Sequence, residues 1–402
     1  MPVEEPGRGR CRKGPATMKL LQTKDIRAGN RMQIMYQLIQ CKEVSRAEIA
    51  EITGLNKATV STIVKELLDN GFIVETAMGV STGGRKPIML TQQADAGYCI
   101  AVDLNVTHIQ VTVTDLANRI RAESSVPVKG ESFKQNFQRL CGEIHQLIEK
   151  QPPSRYGLIG ISAAVRGVVD LDGVIRFIPK LQWRDTDLKT LLHQEFRVPV
   201  YVDNDGDLAA MAERRENPGW DEMLVLSVDD VLSAGLVSHG KLIRGYLGFA
   251  NAVGHHILNC KETRPCSCGK YGCWEQYCSC LTLLEAANRG AERPSGSMEE
   301  LAERIRAGDI QARQALREFL DYLSIGITNL IFVLNSEVII LNSRLFSALP
   351  ELVEEVQRRI ILPITGLGTQ TIYLSKLGQR AALTGAAAVA IEGFYSNCME
   401  QL

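Results

Sequence analysis

The sequence predicts an α/β protein headed by a small winged helix-turn-helix, and three observations carry that prediction. Residues 30–90 hold three helix-length apolar patterns followed by two β-prone runs. From Gln92 onward, strand-like and helix-like segments alternate. Near residue 270, cysteines crowd a glycine-containing loop with the spacing of a metal chelate. Alternating strands and helices build layered α/β domains, although alternation alone does not give the strand order.

Taken in order, Asn30–Gln40 places Met32, Ile34, Met35, Leu38 and Ile39 at helical spacing. A second helix is expected from Ser45, as cap, through Ala47, Ile49 and Ala50, and Thr53-Gly54-Leu55 makes a short turn. A third begins at Asn56, turns Val60, Ile63, Val64, Leu67 and Leu68 inward and stops at Asn70-Gly71. The runs Phe72–Glu75 and Pro87–Leu90 read as strands around a polar tip, Gly79–Lys86, which supplies a wing. Lys57, Thr59, Ser61 and Thr62 face outward at the start of the third helix, as suits a helix whose N-terminus enters a major groove. Lys65 and Arg46 are expected on phosphates, and Arg85 and Lys86 in the flexible tip on phosphates or a minor groove. Residues 1–90 carry 14 Lys and Arg against 9 Asp and Glu, in a chain whose net charge is −1. A basic head on an acidic body points to a polyanionic partner. The competing reading is a solvated helix face beside an ordinary loop.

The body begins with the strand pair Tyr98–Asp103 and Ile109–Asp115 and the amphipathic helix Phe133–Lys150. Leu158–Ser162 and Val198–Asp203 read as buried strands, and Leu224–Val228 opens a second α/β unit. The tail from Ile310 is helix-rich and interrupted by the strand Val338–Leu341. With 45% hydrophobic and 23% charged residues the chain can bury more than one core, and no apolar run is long enough to span a bilayer. Residues 1–25 form a basic extension, expected to be disordered, with Arg8, Arg10, Arg12 and Lys13; Met18 is an alternative start. Eleven scattered cysteines favour reduced thiols and metal binding over a disulfide framework, hence a cytoplasmic location.

Cys266-Ser-Cys268-Gly-Lys-Tyr-Gly-Cys273-Trp-Glu275, preceded by His255, offers three thiols and an imidazole. That donor set suits Zn2+ in a closed tetrahedral site, which organises a loop and does no chemistry itself. Such a metal would hold Glu275 in a cleft. The bland alternative is that the cysteines are small buried hydrophobes.

The C-x-C-G-x-x-G-C-x-E loop and Gly254-His255 resemble the signature of the ROK family of sugar kinases and sugar-responsive repressors. The head and Ser81–Pro87 are similar to its NagC/XylR-type, Mlc-like repressor branch. The resemblance implies a two-lobed, actin-like (ribonuclease H-like) body over 96–402, with lobe I about 96–203 plus the C-terminal helix and lobe II about 204–388, behind a DNA-binding domain at 26–91. It also implies a homodimer or dimer of dimers and a sugar cleft between the lobes. Asp205 matches the family's catalytic base and Asn204 its neighbouring sugar contact. The family's phosphate turns are degenerate. The first reads Asp103-Leu-Asn-Val-Thr107, the second keeps only Gly235 of Val231–Gly235, and a third glycine pair is Asn342-Ser343. Side chains there block close backbone approach to phosphate, so the expectation is no catalytic residue and no kinase. The alternative remains an ATP-dependent hexose or N-acetylhexosamine kinase.

The same Asp203–Asp207 segment is a poor calcium loop, with Leu208 at the turn glycine and Arg214 at the bidentate glutamate; its aspartates can also simply cap a helix. Ala252 replaces an expected sugar carboxylate, while Arg166 and Lys180 bring two cations to the cleft. The effector is therefore a neutral sugar or an anionic one, such as a sugar phosphate or sugar acid, held by Asn204, Asp205, His255, Glu275, Lys180 and Arg166; the third alternative is that the cleft holds no small ligand at all. The expected whole is a repressor of carbohydrate-utilisation genes that binds an inverted repeat of double-stranded DNA, away from any membrane.

Overall fold

A computed structural model describes residues 23–41, 43–78, 87–128, 132–250, 252–261, 264–360 and 370–402, which divide into two compact units. The first draws on Met1–Asp69, Glu75–Thr91 and Tyr395–Leu402, the second on Asn70–Val74 and Gln92–Phe394. The last eight residues thus pack with the head, where the sequence assigned them to the body.

In the first unit, helix α1 (Thr23–Cys41) is followed by strand β1 (Val44–Ser45), helices α2 (Arg46–Thr53) and α3 (Lys57–Asp69), and strands β2 (Ile73–Met78) and β3 (Ile88–Gln92), with sheet order β1-β3-β2. Ser45 caps α2 in a reciprocal box with Glu48, and the Asn56 side chain accepts from the Thr59 amide at 2.8 Å, so both expected helix starts hold. Helix α1 begins earlier than expected because Arg27 and Arg31 in its first turns are held by Glu66 of α3. Arg31 is buried and also donates to the Met399 carbonyl at 3.0 Å. Ile34, Met35, Leu38, Ile49, Val60 and Val64 fill the core. The wing tip with Arg85 and Lys86, and residues 1–22 of the basic extension, lie outside the described residues.

The second unit contains two five-stranded sheets built to one plan. The first comprises β4 (Tyr98–Leu104), β5 (His108–Asp115), β6 (Ile120–Pro127), β7 (Leu158–Val165) and, after the small sheet of β8 (Val168–Val169), β9 (Ile175–Ile178) and β10 (Trp183–Thr186), β11 (Val200–Asn204). The second comprises β12 (Met223–Val228), β13 (Leu232–Ser238), β14 (Lys241–Leu242), β15 (Val338–Asn342) and β16 (Thr371–Leu374). Each runs third, second, first, fourth, fifth in chain order, with an antiparallel meander joined to two parallel strands. This duplicated ribonuclease H-like plan is the actin-like body the resemblance implied.

Helices α4 (Phe133–Glu149) and α5 (Leu188–Phe196) cover the first sheet. Helix α6 (Asp205–Glu216) packs on β13, and α7 (Glu275–Cys278), α8 (Cys280–Asn288), α9 (Met298–Arg306), α10 (Ile310–Leu334), α11 (Arg344–Ala348) and α12 (Leu352–Arg359) build the second lobe; α13 (Ala381–Gln401) ends the chain. On α4, Leu140, Ile144 and Leu147 face the sheet, as its 3.6-residue period required. Among the described residues no helix is long and apolar enough to cross a membrane.

Candidate functional site: a sugar cleft above a thiol-imidazole cluster

The switch from β11 into α6 delivers Asn204 and Asp205 to the cleft. Asn204 is the N-cap: its Oδ1 accepts from the Gly206 and Asp207 amides, and its Nδ2 donates to the Gly167 carbonyl at 2.9 Å. Both ends of its amide thus serve local structure and fix the start of α6. The cap is the asparagine, not one of the aspartates.

Asp205 is buried, with Oδ2 accepting from the Ser233 hydroxyl at 2.8 Å. Burial pushes its carboxyl up to about 6, against the opposing pull of Arg166 and the Ser233 hydrogen bond. Ser233 was missed in the sequence, where it counted only as a lost glycine. Gly235, the glycine retained there, serves packing: a Cβ on it would lie 2.1 Å from the Gly206 carbonyl oxygen of α6. It is a helix-on-strand contact and not part of a phosphate cradle.

All six expected effector residues, Arg166, Lys180, Asn204, Asp205, His255 and Glu275, line one pocket. Phe249 and Ala252 line it too; Phe249 had no sequence signal, and the Ala252 methyl stands where a carboxylate was expected. Glu275 is buried at the start of α7 and accepts from the Leu232 amide at 3.3 Å through Oε2. Asp205 Oδ1, Glu275 Oε1 and Arg166 Nε are buried without a protein hydrogen-bond partner. Such groups cost free energy unless something hydrogen-bonds them.

The two cations are not available to an anion in the way the sequence allowed. Arg166 donates to Asp103 Oδ2 at 3.0 Å, and Lys180 Nζ stands 3.7 Å from Glu275 Oε1. Burial works against the Arg166 charge, but Asp103, Asp205 and Asp229 outweigh it and hold the guanidinium protonated more firmly than usual. Each cation already faces a carboxylate, with which an anionic effector would have to compete.

Across Arg166, a second cavity is lined by Asp103 and Asn105 of the first degenerate phosphate turn and by Asp229, whereas Val231, Leu232 and Ser233 of the second turn line the first pocket. Arg344 lines it and bridges the buried Asp229 (3.1 Å) and Asp230. Ser343, from the replaced glycine pair, caps α11 through the Leu345 amide. The carboxylates and the serine at this end are thus engaged by internal salt bridges and a helix cap.

Below the sugar pocket, the ligand atoms of His255, Cys266, Cys268 and Cys273 lie within 4.8 Å of one another. The Cys266 Sγ to His255 Nδ1 distance is 3.6 Å and the Cys268 Sγ to Cys273 Sγ distance 3.7 Å. A tetrahedron with Zn–S bonds of about 2.3 Å and Zn–N bonds of about 2.0 Å has edges of roughly 3.5 and 3.8 Å, so the donors fit that ion. Burial works to raise the Cys266 thiol, but hydrogen bonds with His255 and Cys268 outweigh it and bring it down to about 6. The same contact with Cys266 raises His255. The loop closes because Gly272 takes φ +71°, where a Cβ would also strike the Asn259 carbonyl at 1.9 Å. Cys278 and Cys280 point elsewhere, to the Phe319 and Val228 carbonyls.

On the head, Lys57, Ser61, Thr62 and Lys65 are exposed on one face of α3, while Thr59 is half-buried at its edge. Arg46 is engaged by Glu75 at 2.9 Å, so its guanidinium is shared with a carboxylate instead of standing free for phosphate.

The ROK family model matches residues 99–392, and a model for winged helix-turn-helix DNA-binding matches 28–74. The chain belongs to the ROK family. The xylose repressor of Bacillus spizizenii is 31% identical over 92% of this ROK chain and 96% of its own length. Two crystal structures share the fold. A ROK family transcriptional regulator, a homolog of E. coli MLC protein, covers 94% of this chain and 98% of its own at TM-score 0.75 and 21% identity. A ROK family glucokinase from Streptomyces griseus, in complex with glucose and AMPPNP, covers 73% and 99% at TM-score 0.65 and 24% identity. The glucokinase likeness covers less of this chain than the regulator's does.

Proposed function

We propose that this ROK protein is a DNA-binding transcriptional repressor that responds to a neutral sugar, and that it is not a kinase. The observation that carries this reading is the asymmetry of the cleft. Its sugar end keeps buried oxygens without a hydrogen bond on both Asp205 and Glu275, whereas at its other end Arg344 bridges Asp229 and Asp230 and Arg166 takes one oxygen of Asp103, leaving only Asp103 Oδ1 without one. Sugar hydroxyls donate and accept at once, so they satisfy such carboxylates without adding charge. The name of the Bacillus relative makes D-xylose the first probe.

Zn2+ held by His255, Cys266, Cys268 and Cys273 would fix the His255 ring and Glu275 in the pocket wall; the metal supplies architecture here, not a reacting group. Two heads on a homodimer or dimer of dimers would read an inverted repeat, with Lys57, Thr59, Ser61 and Thr62 toward the major groove and Lys65, Arg85 and Lys86 on the backbone. The supporting ground is the exposed face of α3, and the reading makes the protein cytoplasmic. Ligand binding regulates only if the DNA-competent and incompetent arrangements differ in sugar affinity.

Genomic fragments retained by the purified protein at moderate salt should share an inverted repeat and be released by D-xylose or another neutral sugar. Uniform, salt-sensitive retention, or ATP turnover with any hexose, would overturn the proposal.

A further inference from the structure

The exposed face of α3 carries Lys57, Ala58, Ser61, Thr62 and Lys65 and no arginine, asparagine or glutamine. Lys57 and Lys65 can still donate to guanine O6 and N7, but no side chain within α3 offers the bidentate contact to adenine, so an A·T pair is read here by other means. Its two hydroxyls are already committed as donors. Ser61 Oγ donates to the Lys57 carbonyl at 2.8 Å, and Thr62 Oγ1 to the Ala58 carbonyl at 3.0 Å. Each keeps only acceptor capacity toward a base, which suits the exocyclic amino group of adenine or cytosine. With its oxygen drawn onto the helix backbone, Thr62 presents a methyl beside the methyl of Ala58, one helical turn away on the same side.

The geometry points to Ala58 and Thr62 as a methyl-reading pair that recognises the 5-methyl groups of thymine in each operator half-site. The A·T pair offers both complementary features in the major groove: the thymine methyl for the two apolar groups, and the adenine N6 amino group for the hydroxyl lone pairs. A C·G pair supplies the amino group without the methyl. The inference rests on the regulator reading above and deepens it by naming the chemical feature of the DNA that is recognised.

The test uses the full chain and the inverted repeat recovered from genomic selection. Each thymine of one half-site is replaced by deoxyuridine, which removes the methyl alone, and affinity is followed by fluorescence anisotropy at fixed salt. One or two positions should lose affinity by about 4-fold each, the worth of one buried methyl. The slope against salt concentration should stay unchanged, because no phosphate contact is lost. Thr62→Ser keeps the hydroxyl and removes the methyl; it should bind thymine and uracil operators equally at the position it reads. Ala58→Gly should abolish discrimination at the neighbouring position. Indifference of a specific operator to every uracil, or full discrimination surviving both substitutions, would sink this inference alone. Retention of no specific sequence would sink the regulator reading and this inference with it.

Discussion

The two ends of the body's cleft both draw on loops of the two like-ordered sheets, yet they hold their buried carboxylates differently. At the sugar end, Asp205 and Glu275 each tie one oxygen to the protein, to Ser233 and Leu232, and leave the other buried and unpartnered. At the other end, Asp229 and Asp230 are taken up by Arg344, and Asp103 has one oxygen on Arg166 and the other buried without a hydrogen bond. The difference teaches where a ligand can gain free energy. An unpartnered buried carboxylate oxygen rewards a hydroxyl that reaches it, whereas a salt-bridged one must first be broken open. The same scaffold that could cradle a nucleotide thus becomes a sugar sensor by internal neutralisation as well as by loss of glycines.

The largest way to disturb the sugar end is to remove the metal beneath it. Cys266→Ser or exhaustive chelation should take zinc from about one ion per chain to none, with loss of sugar binding and a large fall in the body's unfolding midpoint, since structural zinc contributes on the order of 10 kcal/mol. Cys278→Ser should keep its metal, and plasma emission spectrometry on both variants decides. The next effect belongs to the opposite end. Arg344→Ala leaves two buried carboxylates without their cation and should cost about 3 kcal/mol in denaturant unfolding, while sugar affinity, read by calorimetry, stays within a factor of two.

How much of this contrast the sequence could reveal depended on distance along the chain. The thiol and imidazole donors that the structure brings together fall within one short loop and its approach, and the head's caps at Ser45 and Asn56 act on the helices they precede; both the cluster and the caps were legible. Arg344 meets Asp229 across 115 residues, and Ser233 meets Asp205 across 28. No local pattern marks a serine as the partner of a particular aspartate. Arg31 is buried, received by Glu66 and by a carbonyl 368 residues away, and nothing near it in the sequence marks it as an inward charge. Arg166 and Lys180 line the pocket, but their carboxylate neighbours Asp103 and Glu275 lie far off in the chain, because pairing is a property of the fold. The repeated strand order of the two sheets left no repeated sequence to notice.

Asp205 carries a smaller and pH-dependent effect. Its carboxyl is raised to about 6 from an ordinary 3.8, so the folded state holds a proton that the unfolded chain releases between those values. The stability linked to it is present below about pH 4 and is lost as pH rises through 6. Asp205→Asn should therefore raise stability by about 2 kcal/mol at pH 7.5, and the gain should shrink at pH 5, where the wild-type carboxyl already carries most of its proton. The same variant should bind sugar about 10-fold more weakly, because the charged acceptor is gone. A variant that is neither stabilised at pH 7.5 nor weakened toward sugar would mean that the Asp205 carboxylate is not strained in the empty cleft.

The smallest expected effect decides the charge of the effector. Lys180 stands 3.7 Å from Glu275 and is partly exposed, a geometry in which an ion pair contributes less than about 1 kcal/mol. If the ligand is a neutral sugar, Lys180→Gln mainly frees a Glu275 oxygen for a sugar hydroxyl, and affinity should change by less than about 3-fold with little dependence on salt. A phosphorylated or acidic sugar would use the ammonium directly. Its affinity would then fall by roughly 10-fold or more on substitution, and the loss would diminish as added salt screened the charge. Titrating D-xylose and a xylose phosphate against both proteins at two salt concentrations separates these outcomes. A large, salt-sensitive loss confined to the phosphate would show that Glu275 yields its cation to the ligand, and that the sugar end of the cleft is less different from the phosphate end than its unpartnered oxygens imply.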